Sequence, residues 1–106
     1  MNQDTSKPPK KYEDFIKQYP KLMQAWEQIA EAGKEGPLDE KNKRLIKLAV
    51  AIGALKEGAV HASVRKAIFM NISREEIGQV VALAAGTIGL PSAVAAFSWI
   101  QDIVQE

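Results

Sequence analysis

Glu57 and His61 are the residues of this chain whose types and spacing could do chemistry. They stand four apart in Leu55-Lys56-Glu57-Gly58-Ala59-Val60-His61, and a helix would project them from neighbouring turns of one face. A carboxylate beside an imidazole is an acid/base unit, because it fixes the ring tautomer and stabilises the protonated form. In that reading His61 transfers a proton and Glu57 sets its tautomer. The competing reading makes His61 a polar side chain satisfied at a helix or subunit interface, and Glu57 a first-turn acid interacting with the helix dipole. One glutamate and the chain's single histidine are too few to hold zinc, which takes three or four protein ligands unless subunits share the site. No metal and no cofactor is therefore expected.

The elements that must position this pair follow from hydrophobic periodicity. Residues 1–11 are polar, with Pro8-Pro9 and three lysines, and read as a mobile tail before a single helical domain over 12–106. Tyr12, Phe15, Ile16 and Tyr19 mark a first short helix, and Pro20 suits the first turn of a second. Leu22, Met23, Trp26, Ile29 and Ala30 continue that second helix towards a stop at Gly33. Asp39 reads as the N-cap of a third, whose stripe is Leu45, Leu48, Ala49, Ile52 and Leu55, widened by Ile46 and Val50 so that burial on more than one side is expected. Gly53 and Gly58 bracket a break around Leu55 to Glu57. The fourth helix then carries Val60, Val64, Ala67 and Ile68 on one face and ends near Met70-Asn71. Ser73-Arg74-Glu75-Glu76 fits a capping box opening a fifth, with Ile77, Val80, Val81, Leu83, Ala84 and Ile88. Gly89-Leu90-Pro91 turns into a last helix lined by Val94, Phe97, Ile100, Ile103 and Val104, and small residues in 82–86 and 92–96 permit close helix approach. No spacing alternates as a strand would, so the fold class is all-α, a compact bundle of about six helices.

Composition excludes several function classes. The net charge is +1, which gives no electrostatic case for nucleic acid or an anionic membrane, and Lys7, Lys10 and Lys11 are too short a cluster to change that. No apolar run reaches the roughly 18 residues of a membrane span. The first residues lack the apolar segment of a secretory signal, so a cytoplasmic location is expected. The chain has no cysteine, which removes thiol catalysis, disulfides and zinc–thiolate sites together. A chain of 106 residues leaves much apolar surface on its helices, the last above all, and a homo-oligomer is expected to cover it. Trp26 and Trp99 read as core or interface aromatics.

The order of these segments resembles the carboxymuconolactone decarboxylase family, which includes the alkyl hydroperoxidase D-like proteins. The resemblance spans roughly Tyr12 to Val104. It rests on the Leu38-Asp39-Glu40-Lys41 start of helix three, Arg44-Leu45-Ile46-Lys47-Leu48-Ala49-Val50-Ala51, Val64-Arg65-Lys66-Ala67, Ser73-Arg74-Glu75-Glu76-Ile77 and Gly89-Leu90-Pro91. The family's redox branch carries a Cys-x-x-Cys pair, a histidine after it and a glutamate before it. Those positions here hold Lys56, Ala59, Ser63 and Arg44. A thiol peroxidase needs a thiolate, so that activity is excluded. The decarboxylase branch's motif is also absent. The chain looks more like a cysteine-free subgroup with Glu-Gly-Ala-Val-His at the helix junction and a Ser-Trp-Ile-Asp-like end, here Ser98-Trp99-Ile100-Gln101-Asp102.

The resemblance implies a trimer or hexamer, and an acid/base enzyme of lyase or isomerase type acting on a small organic acid or lactone through His61 and Glu57. Ser63, at the family's histidine position, is a candidate ligand contact, or else bonds a carbonyl of its own helix. Lys56 and Arg44 could meet a substrate carboxylate, or be solvated helix charges. The alternative function is a non-catalytic ligand-binding or oligomeric scaffold protein that has lost the family's redox chemistry.

Overall fold

The computed structural model describes residues 10–105, which form six helices and no strand. These are α1 (Lys10–Gln18), α2 (Pro20–Lys34), α3 (Glu40–Gly53), α4 (Glu57–Phe69), α5 (Arg74–Ile88) and α6 (Leu90–Val104). The all-α reading holds. Of the segment read as a tail, residues 1–9 lie outside the described residues, whereas Lys10 and Lys11 are already helical in α1. The chain divides into two compact units, one containing α1 and α2 and one containing α3 to α6.

In the first unit Pro20 opens α2, where its missing N–H has no helical partner to lose. The Phe15 and Tyr19 rings lie 5.1 Å apart, tilted. Neither helix buries a residue, and Tyr12, Phe15, Leu22, Trp26 and Ile29 line an apolar groove.

The second unit carries the core. Asp39 caps α3 by accepting from the Asn42 backbone N–H at 2.8 Å. Helix α3 ends in a Schellman arrangement, with Lys56 N–H donating to Ala51 C=O and Leu55 N–H to Ile52 C=O. The left-handed residue this requires is Leu55, at φ 54°, and neither Gly53 nor Gly58 takes that role. Helix α4 ends the same way, with Asn71 left-handed at φ 62°. Ser73 and Glu76 form the expected capping box of α5. Gly89 joins α5 to α6 at φ 87°, ψ 160°, backbone that only glycine adopts without strain.

Leu48, Ile52, Val60, Val64 and Ile77 are the largest fully buried side chains, and Ala93 and Ala96 bring α6 close to them. Trp99 packs partly buried against this cluster. The stripe predicted for α3 is narrower than expected: Leu48, Ala51 and Ile52 are buried, but Ile46, Ala49 and Val50 are exposed in the single chain. Leu83 on α5 and Val94 and Phe97 on α6 are exposed too. A four-helix unit offers each helix partners on one side only, so wide apolar faces cannot all be covered from within.

Candidate functional site

Helix α4 packs between α3 and α6, and its two flanks carry different chemistry. Val60, Val64 and Ala67 form its buried stripe. At about 100° per residue, Glu57 and His61 fall on one side of that stripe, and Ser63 and Lys66 on the other.

On the first flank, His61 Nε2 lies 3.1 Å from Asp102 Oδ2, across the packing of α4 on α6. With Asp102 ionised, Nε2–H donates and Nδ1 keeps a lone pair free to accept a proton. The His61 side chain is 20 % exposed and Asp102 58 %, so the ring is held yet reachable. Glu57 begins α4 and is exposed. It makes no hydrogen bond to His61 among the described residues. The ligand atoms of Glu57, His61 and Asp102 nevertheless lie within 4.8 Å of one another, a gap that one water can bridge. The carboxylate in hydrogen-bond contact with the imidazole is thus Asp102, which sequence spacing alone does not select. The one available signal was an acid near the end of α6, in the Ser98 to Asp102 segment already noted for its resemblance.

Asp102 also changes the donor count. Two potential metal ligands in the sequence become three in space, one imidazole nitrogen and two carboxylate oxygens, a set with the reach to hold a divalent cation. A cation held by that set would engage the same His61 ring that proton transfer uses.

On the second flank, Arg44 Nη1 donates to Ser63 Oγ at 3.4 Å. Ser63 is 5 % exposed, the one buried polar side chain among the described residues. Its hydrogen bond goes to Arg44 on the neighbouring helix, and none to a carbonyl of its own helix is seen. Burial pushes the Arg44 guanidinium below its usual range, against a smaller upward pull from Glu40. Lys56 is exposed in the connection between α3 and α4 and has no described contact with Arg44 or Ser63. Of the three ligand-binding candidates, the structure brings two together.

The second unit is thus all-α, with a histidine–aspartate contact on one side of α4 and an arginine–serine contact on the other. The match is to the model of the carboxymuconolactone decarboxylase family, over residues 20–102, and the chain belongs to that family. The chain is also 39 % identical over 64 residues to an uncharacterized protein of Haemophilus influenzae, an alignment covering 59 % of this chain and 57 % of that protein. The matched stretch therefore spans little more than half of that relative. No solved structure matches.

Proposed function

We propose that this family member is a cysteine-independent acid/base enzyme of lyase or isomerase type, acting on a small organic acid or lactone. His61 moves the proton through Nδ1, and Asp102 holds the ring in the Nε2–H tautomer. Glu57 stands close enough to steer a bridging water or a substrate hydroxyl. The observation that carries the reading is the 3.1 Å contact between His61 and Asp102 on a ring still open to solvent. The protein works in the cytoplasm as a homo-oligomer, a trimer or hexamer; its short chain and the exposed Leu83, Val94 and Phe97 support that assembly. No helix among the described residues is long and apolar enough to cross a membrane.

Native mass spectrometry of the purified chain tests both parts. The expected result is an oligomer carrying a small acidic metabolite that His61→Ala no longer retains. A bare monomer at micromolar concentration would refute the oligomer. A metabolite retained equally by His61→Ala would leave the second reading, a non-catalytic ligand-binding or scaffold protein. That reading draws its support from the replacement of the family's redox residues by Lys56, Ala59, Ser63 and Arg44.

A further inference from the structure

The second flank of α4 has a chemistry of its own. Arg44 is half-buried in the seam between α3 and α4, and its Nε–H is shielded from solvent with no hydrogen-bond partner among the described residues. A guanidinium meets two oxygens best along its Nε–Nη2 edge, and Ser63 engages the other nitrogen, Nη1. Because Ser63 Oγ accepts from Arg44, its own O–H proton remains available to donate.

Positive charge gathers around these two groups. Lys47 follows Arg44 by three residues on α3, and Lys66 follows Ser63 by three on α4, so each lysine shares a helix face with its partner. The Lys66 ammonium is held below its usual range, first by burial and then by Arg44 and Lys47. The carboxylate that acts on Arg44 is Glu40, and it is exposed and engaged by Lys43 at 3.2 Å. Three cations that act on one another thus share the seam with a buried hydroxyl and a shielded, unpaired donor, and the acid that acts on Arg44 is engaged by Lys43. Like charges are not brought together in a partly desolvated seam without a cost, and an anion would reverse it.

We propose that Arg44, Ser63, Lys47 and Lys66 form a binding site for a compact oxyanion, a carboxylate or a phosphate, in the seam between α3 and α4. Arg44 provides the directional donors, Ser63 a neutral one, and the two lysines the surrounding charge. The site lies on the opposite flank of α4 from His61, and it stands whether or not His61 catalyses a reaction.

The test follows the Arg44 side-chain Nε–H signal in proton–nitrogen spectra of the full chain. Inorganic phosphate and acetate are titrated separately at constant ionic strength, with chloride as the reference anion. The expected result is a saturable shift of that signal with at least one of the two oxyanions and none with chloride. Saturation by acetate alone identifies carboxylate chemistry, and by phosphate alone phosphoryl chemistry. Lys66→Gln, on the rim of the site, should weaken binding roughly tenfold, in the range of a lost charge-assisted contact. Its folding is checked by its amide spectrum, and Arg44→Gln, which lacks the reporter, provides a second variant whose binding is read from the backbone amide shifts of α3 and α4. His61→Ala should bind the anion unchanged, which separates this site from the proposed reaction. A shift that is linear and equal for all three anions, or an affinity untouched by Lys66→Gln and Arg44→Gln, would overturn the proposal.

Discussion

His61 Nε2 and Asp102 Oδ2 meet at 3.1 Å although 41 positions separate them in the chain. The contact exists because α4 and α6 pack closely through Val60, Val64, Ala96 and Ile100, which sets their polar flanks side by side. It makes a sharp expectation about the ring. At a pH where the imidazole is neutral, nitrogen NMR of the single histidine should show mainly the Nε2–H tautomer. Asp102→Ala should relax that preference while changing stability by less than about 1 kcal/mol, as expected for a largely exposed pair. An unchanged tautomer ratio in Asp102→Ala would remove Asp102 from the account.

Metal ions provide a second prediction. Because a bound cation would engage the His61 ring and the carboxylates beside it, added zinc should suppress any His61-dependent activity. Prior treatment with a chelator should leave that activity intact. Activity lost on chelation and restored by a divalent ion would mean that Glu57, His61 and Asp102 act as ligands instead.

Acid stability should report on the start of α5. Lys41 pairs with the Glu76 carboxylate, which also accepts from the Ser73 backbone N–H, while the Ser73 hydroxyl accepts from the Glu76 backbone N–H. Together, with Lys41 the largest cause, they hold the Glu76 carboxyl at about 2, well below its ordinary 4.5. A depressed carboxyl contributes stability that is present above the unfolded value and is lost as pH falls through the folded one. In denaturation curves the advantage of wild type over Glu76→Gln should be constant above about pH 5 and should shrink steadily towards pH 2. An advantage that does not change with pH would show that the ionised carboxylate contributes nothing.

Two connections should respond in opposite directions to exchanges involving glycine. Leu55 holds a left-handed conformation that disfavours a side chain, so Leu55→Gly should stabilise the fold by roughly 0.5–1 kcal/mol after the added freedom of the unfolded chain is counted. Gly89→Ala should destabilise it by about 1–3 kcal/mol. Thermal melts of the two variants check both signs.

These features differ in how visible they are in the sequence, for physical reasons. The capping box at Ser73 and Glu76 and the α3–α4 break are local, and local chemistry leaves local marks. Leu55 leaves no mark in the sequence because a left-handed cap is usually a glycine, and the nearby Gly53 and Gly58 do not take that role. The α3 stripe looked wider than its buried part, since Ile46 and Val50 follow helical spacing but face out of the unit. On α4, the i and i+4 spacing placed Glu57 and His61 on one flank, whereas Asp102 depends on which helix packs there, information that no spacing within α4 contains. The Arg44–Ser63 contact is also long-range, and in the sequence only the family resemblance points to both positions.

The proposed transfer of a proton by His61 on a small organic acid or lactone is tested by proton NMR of a panel of keto acids and unsaturated lactones in deuterated water, comparing wild type with His61→Ala at equal concentration. Deuterium should enter beside the carbonyl of at least one compound in wild type, with the rate falling about 10²–10⁴-fold in His61→Ala, the usual contribution of a positioned acid/base group. Exchange that proceeds equally in both proteins would contradict it, as would no exchange above the buffer rate for any member of the panel.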